Sequence, residues 1–350
     1  MYLAIVGRIA LGSSLGCIHT ALDSLSDHRV VESGVIEFMA TATVPIYDAF
    51  RTLFVHFGRA PLFPLLSVTF PLYTWLSPSW HASSRLVRNF MAQKVEERRR
   101  EQDLRQPLEL ATDADCVLDM LLQQEKSQGK KALNENEMLD ELLLLFLGGH
   151  DSTSAALFWL VKYMALDAEM QRRLHDEVCH VFSHDLEDTS SIVLSTLEDS
   201  EKLPILEAVV AETLRCAMIS GAIGRYLTSD EVIMGRHVPK GTELVIPVSL
   251  MGMSEAAWGP DVKEWRPTRW LRADGSFNRN AGPGGNPFGL GHRACFGQRL
   301  GMMKLKIFAA TLSRAFFFKP APLKVSSPHA ITMVTRQPKQ CYVVLEEWDA

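Results

Sequence analysis

The chain has no paired cysteines, no excess of positive charge and no long apolar run at its start. Its six cysteines (Cys17, Cys116, Cys179, Cys216, Cys295, Cys341) never fall in a C-x-x-C spacing. That excludes a disulfide framework or a small zinc site and fits a reducing compartment. A net charge of -5 argues against nucleic acid, whose phosphates select a basic face. The opening stretch MYLAIVGRIAL is apolar but broken by Arg8. It is too short to span a bilayer and lacks the basic start of a signal peptide. No repeat, low-complexity tract or linker divides the 350 residues, so residues 1–350 read as a single domain able to build a large core.

What is present reads as mainly α with a small β part. Helices are expected at 30–58 and 80–104. The run Lys94-Val-Glu-Glu-Arg-Arg-Arg-Glu101 is expected to be a solvated helix face. Between them, Pro61, Pro64, Pro71 and Pro78 should break any long helix. The longest apolar helix is expected over 137–166, with Asn134 and Glu137 as a start signal. Helices follow at 170–183, 203–217 and 298–315. Val232-Ile-Met234 and Leu244-Val-Ile-Pro-Val248 read as strands about a Pro239-Lys-Gly241 turn, and 331–334 and 341–345 as terminal strands. His175, His180 and His184 have charged neighbours and loose spacing, which reads as a solvated face and not as a metal site.

Four constellations carry chemistry. Cys295 sits in Phe288-Gly-Leu-Gly291-His-Arg293-Ala-Cys295-Phe-Gly297, directly before an amphipathic helix. Glycines allow turns that a Cβ forbids, and a following helix dipole favours thiolate over thiol. A lone cysteine is more often a buried structural one, but this whole pattern is what a thiolate ligand to heme iron needs. Gly291 and Gly297 give the loop its shape, Arg293 can pair with a heme propionate and Phe288 can pack on the ring. In Gly148-Gly149-His150-Asp151-Ser152-Thr153, glycines and an acid–alcohol pair interrupt an apolar helix at a cost of roughly 1 kcal/mol per glycine. A locally opened helix there could hold water and relay protons. A kinked helix with a polar patch fits the residues equally well, whereas His150 and Asp151 argue against a transmembrane span. Glu212 and Arg215, three apart, are neighbours on one helix face. Trp265-Arg-Pro267-Thr268-Arg269-Trp270 supplies a further arginine.

In this order and spacing the four motifs resemble the cytochrome P-450 family. The cysteine run fits Phe-x-x-Gly-x-Arg-x-Cys-x-Gly at every fixed position. Residues 148–153 resemble its Ala/Gly-Gly-x-Asp/Glu-Thr-Thr/Ser motif, with Ser152 where threonine is usual. Glu212 to Arg215 resembles its Glu-x-x-Arg, and 265–270 its Phe-x-Pro-Glu-Arg-Phe/Trp loop, with Thr268 in place of glutamate. The prolines common after the Glu-x-x-Arg helix are absent, and Gly252-Met253 stand where a His-Arg pair is frequent.

The resemblance implies the P-450 fold lacking its N-terminal portion, which in the family carries the membrane anchor, an early sheet and a heme-clamping helix. It implies heme b (iron protoporphyrin IX) with Cys295 as axial ligand, and Arg225 at a heme propionate. Asp151 and Ser152, helped by Thr153, would deliver protons. A Glu212–Arg215–Arg269 network would lock the cysteine loop. It places 145–149, 220–224 and 330–334 along the pocket. Residues 57–80 would form an access lid in peripheral contact with a membrane, although an ordinary apolar loop fits them equally. The implied reaction inserts one atom of dioxygen into a small apolar organic substrate, with electrons from NADPH through a separate reductase. The loops resemble fungal secondary-metabolite oxidases. A full-length member would sit at the endoplasmic reticulum membrane. Two alternatives stay open: a heme-thiolate isomerase or dehydratase needing no reductase, and a non-catalytic truncated member.

Overall fold

Apolar residues recurring every three to four positions make most of this chain helical. The computed structural model describes residues 2–13, 15, 18, 20, 28–30, 36–38, 44–60, 66–104, 114–127, 133–183, 193–282, 287–332 and 334–348. Chain contacts divide it into two compact units, Met1–Ser152 and Thr153–Ala350.

The first unit contains α1 (Tyr2–Leu11), β1 (His28–Val30), β2 (Ile36–Phe38), α2 (Pro45–Gly58), α3 (Leu66–Leu76), α4 (Pro78–Leu104), α5 (Val117–Ser127) and the first part of α6 (Glu135–Met164). Its core gathers Val6 and Ala10 of α1, Phe50 and Leu53 of α2, Val87 and Met91 of α4, Leu118 and Leu122 of α5, and Leu142 and Phe146 of α6. The rings of Phe50 and Phe146 stack with centroids 5.2 Å apart. At the start of α6, Asn134 and Glu137 bond to each other's backbone N–H at 3.0 and 2.7 Å, a capping box.

Several expectations for this unit need correction. Of the helix expected over 30–58, the described residues show 45–58 as helix and 28–30 and 36–38 as strands, β1 pairing antiparallel with β2, His28 opposite Phe38. Pro45 explains the boundary. It forces the preceding Val44 into extended backbone and is itself preset for a first helical turn. Pro71 does not stop α3 but lies inside it, and Pro78 opens α4. Pro61 and Pro64 lie outside the described residues. α5 was not foreseen. Its partner is Arg98, in the run expected to be solvated, whose guanidinium instead bonds both oxygens of the buried Asp119 at 2.7 and 2.6 Å.

The second unit continues α6 and adds α7 (Ala168–Phe182), α8 (Leu194–Leu197), α9 (Pro204–Ala217), β3 (Ile223–Tyr226), β4 (Glu231–Ile233), β5 (Arg236–Val238), β6 (Glu243–Ile246), α10 (Val248–Gly252), α11 (Glu255–Trp258), α12 (Gln298–Ala315), β7 (Phe316–Pro320), β8 (Ala330–Thr332), β9 (Arg336–Pro338) and β10 (Val343–Glu347). The strands form antiparallel pairs β3–β6, β4–β5, β7–β10 and β8–β9. Pro247 ends β6, so Val248 opens a short helix and does not extend a strand. Buried residues of α7 (Leu174, Val178, Phe182), α9 (Leu206, Val209, Val210) and α12 (Leu305, Ala309, Ala310) make the core. His175 is not on a solvated face: it bonds the Ser313 carbonyl at 2.9 Å and stacks on Trp348, centroids 4.0 Å apart. His180 is exposed, His184 lies outside the described residues, and no cluster that could hold a metal ion occurs among those described.

By length and composition, α6 could cross a membrane. Its apolar residues Leu142 and Phe146 in the first unit, and Ala155, Trp159 and Leu160 in the second, are buried in protein. Phe146→Ala should lower unfolding free energy by about 3–5 kcal/mol through lost burial, a cavity and the lost ring contact. Urea denaturation checks it, and a loss below about 1 kcal/mol would mean that this core is loosely packed.

Candidate active site

The cysteine loop is built by glycine. Gly289 and Gly291 adopt φ of +73° and +70°, a region that residues with a Cβ rarely enter. The chain then makes a 3₁₀ turn over Gly291–Arg293, closed by the Ala294 amide on the Gly291 carbonyl at 3.0 Å. The Cys295 amide returns to the Phe288 carbonyl at 2.7 Å, which fixes the sulfur-bearing residue at the mouth of the loop. Gly297 has an ordinary φ of -85°; its value is spatial, since a Cβ there would lie 4.0 Å from the Cys295 sulfur. The Phe288 ring is half-buried against Gly301, in the first turn of α12.

Cys295 differs from the other described cysteines by being exposed. Burial pushes the thiols of Cys116 and Cys179 up, that of Cys341 to about 11 and that of Cys216 to about 12, the last also through the charge of Glu212. Those four stay protonated and unreactive at neutral pH. Beside Cys295, Leu290 and Phe296 are 72% and 85% exposed. A thiol on a loop cleared of Cβ atoms and flanked by apolar side chains fits the axial face of a flat, apolar macrocycle. Arg293 is exposed on the same loop. Arg225 is half-buried on β3, with its guanidinium on the Gly224 carbonyl at 2.8 Å.

Glu212, Arg215 and Arg269 come together around one carboxylate. Glu212 has no exposed surface. Arg215 bonds both of its oxygens at 2.8 Å, Arg269 Nε donates at 2.9 Å, and the Arg266 amide and the Trp270 indole donate at 2.9 Å each. Arg215 spends its remaining donors on the carbonyls of Gly252, Val262 and Glu264, at 2.7, 2.8 and 3.0 Å. Arg269 reaches the Asp261 carbonyl and carboxylate at 3.2 and 3.3 Å. Trp258 lies under Arg215 at 5.1 Å, and Gly282 packs so closely on that ring that a Cβ would overlap it. Burial pushes the Glu212 carboxyl up, but the hydrogen bonds and charge of Arg215, with the Arg266 and Trp270 donors, hold it below its usual value.

Around 148–153, α6 is a continuous helix and is not locally opened. The Ser152 hydroxyl donates to the Gly148 carbonyl at 2.7 Å, the i−4 back-bond that lets a hydroxyl residue sit within a helix. Asp151 and Ser152 are half-buried at the end of the first unit, and Thr153 is buried at the start of the second. In the second unit Met218, Ile219, Ser220, Val248 and Ser249 bound a cavity of about 30 Å³, room for a water molecule. Met333 lies outside the described residues.

Residues 39–345 match the cytochrome P-450 family model. The chain belongs to the cytochrome P-450 family. It is 32% identical over 275 residues to the Hps1-dma1 cluster cytochrome P-450 monooxygenase cyp3.1 of Dothistroma septosporum, covering 65% of this chain and 86% of that protein. It is 29% identical over 255 residues to the cytochrome P-450 monooxygenase TRI13 of Fusarium sporotrichioides, covering 61% of this chain and 42% of that one. The solved cytochrome P-450 CYP102L1 superposes with a TM-score of 0.72 at 18% identity, over 99% of this chain and 66% of the other. The P-450 fold is thus present, mainly helical with a small β part. In seven other curated P-450 relatives the match covers 29–51% of their length.

Several supports of this P-450 site left little trace in the sequence. Gly289 occupies a variable position of the cysteine motif, and Trp270, a hydrophobe in the 265–270 loop motif, gives no sign there of its indole bond to Glu212. Arg336 had no signal at all, yet it bonds the Ala217 carbonyl at the end of α9 at 2.8 Å and lies 4.5 Å over Trp159. Glu212→Gln would leave buried Arg215 without a counter-charge and Arg269 with Asp261 alone, and should cost about 3–5 kcal/mol at neutral pH. Because the folded carboxyl titrates below its unfolded value, its contribution is complete above about pH 4.5 and is lost as pH falls through the folded value. Urea midpoints from neutral to acid pH should therefore drop less steeply in the variant; equal slopes would show that Glu212 is not the titrating support.

Proposed function

We propose that this chain is the catalytic part of a heme-dependent monooxygenase that inserts one atom of dioxygen into a small apolar organic substrate. The observation that carries the reading is the Cys295 loop: an exposed sulfur on a glycine-built turn, at the head of α12, in a chain whose other described cysteines are partly or fully buried. Heme b, when bound, supplies the redox chemistry that splits dioxygen and oxidises the substrate.

The chain's own residues do the rest. Cys295 would hold the heme iron through its sulfur. Arg293, exposed on the cysteine loop, and Arg225, half-buried on β3, would pair with the propionates. The Glu212–Arg215–Arg269 cluster holds the 261–270 segment and the end of α9 in one geometry and is support, not chemistry. Asp151 carries protons to the reaction, and Ser152 passes them on; its hydroxyl, anchored on the Gly148 carbonyl, has lone pairs left to accept a water proton. Thr153 is an auxiliary hydroxyl.

Electrons come from NADPH through a separate reductase, a reading supported by membership of the cytochrome P-450 family. The Dothistroma relative's name places it in a gene cluster, which supports a role in secondary metabolism for this chain. Contact of the 66–76 helix with a membrane surface is supported by Val68, Leu72, Trp75 and Leu76, all largely exposed.

The heme-loaded protein should give the ferric electron-paramagnetic-resonance signature of a low-spin thiolate heme. Cys216→Ala should keep that signature and Cys295→Ala should abolish it. Retention in Cys295→Ala would move the ligand elsewhere and refute the assignment.

A further inference from the structure

α9, which carries Glu212 and Arg215, cannot cap itself. Its N-cap is Leu203, which has no side-chain acceptor, and Pro204 fills the first turn. The free amides of Ile205 and Leu206 are taken by a side chain from a different helix. Glu177 of α7 accepts from Ile205 N through Oε1 and from Leu206 N through Oε2, both at 2.8 Å. A helix N-terminus presents unpaired donors and partial positive charge, and a two-oxygen carboxylate answers both.

Just beyond, Glu207 is buried and bonds the ammonium of Lys306, which also donates to the Leu197 carbonyl at 3.0 Å. Lys306 lies on α12, the helix that begins just after Cys295. A partly buried carboxylate–amide cap and a buried ion pair, both outside every recognised motif, therefore tie the Glu-x-x-Arg helix to α7 on one side and to the helix that follows Cys295 on the other.

We propose that Glu177 is a positioning residue of the site: it caps α9 from outside and, with the Glu207–Lys306 clasp, fixes Glu212 and Arg215 in register with the helix that follows Cys295. The capping is a property of the chain alone; its consequence for the sulfur rests on the heme-thiolate reading above. Both carboxylate oxygens accept N–H, which is the bonding of the ionised form. Burial works against ionisation, the two amides and Arg173 favour it, and the charge of Glu207 opposes it, leaving the group at about 7. The cap is therefore best measured about one pH unit higher, where the carboxylate predominates.

The test is hydrogen exchange by mass spectrometry on the heme-loaded wild type, Glu177→Ala, Glu177→Gln and Lys306→Met, paired with the rate at which the ferrous carbon-monoxide complex loses its thiolate band. Glu177→Ala should speed exchange across 204–217 by about tenfold or more while leaving α4 unchanged. The thiolate band should decay faster by a similar factor. Glu177→Gln keeps one amide acceptor and should restore part of both effects, and Lys306→Met should loosen the same peptides. Wild-type exchange across α9 in Glu177→Ala would overturn the proposal, and so would loosened exchange with an unaltered thiolate band. A wild type that takes no heme would sink the heme reading alone, and exchange would still decide the cap. Should Glu177→Ala fail to fold, Glu177→Gln and Lys306→Met carry the same comparison.

Discussion

A single carboxylate with no exposed surface organises the second unit. Glu212 is surrounded by two guanidiniums, a backbone amide and an indole, and all of its oxygen lone pairs have work. Burying such a charge costs several kcal/mol unless every partner is in place, so the arrangement tolerates few alternatives. Arg215 passes the constraint to the carbonyls of Gly252, Val262 and Glu264, and Arg269 passes it to Asp261. One charge thus fixes several otherwise irregular chain segments. A hydrophobic core of the same volume would hold them less specifically, because dispersion has no direction.

The cysteine loop uses the opposite strategy. It stays at the surface and takes its shape from backbone conformation, with two left-handed glycines and a carbonyl–amide bond across the turn. The contrast separates the cysteines by role. Those packed in the core are held as thiols by desolvation, and the one on the glycine loop is free to meet a ligand.

Legibility from sequence followed the range of the interactions. The cysteine loop and the Glu212–Arg215 pair were readable because their partners lie within a few residues of each other. α12 was delimited at 298–315 from its pattern alone, because glycine precedes it and a regular apolar stripe runs through it. α5 was missed because Asp119 looks like a surface acid until Arg98, a whole helix away, is known to meet it. The strand at 36–38 was absorbed into the helix expected over 30–58, and the one at 28–30 carried no signal, because each is only three residues long. The opening expected at 148–153 is absent because a glycine pair lowers helix stability without preventing a helix flanked by long apolar turns. Glu177 escaped notice for the same reason as Asp119: a carboxylate on a charged helix shows nothing of the two amides it will cap.

The proposed chemistry requires this chain to present Cys295 as a thiolate to heme. The direct measurement is the ferrous carbon-monoxide difference spectrum of the purified, heme-loaded chain. The strongly red-shifted Soret band of a thiolate-ligated heme is the predicted result. Heme bound with only the unshifted band, or no heme at all, would contradict it.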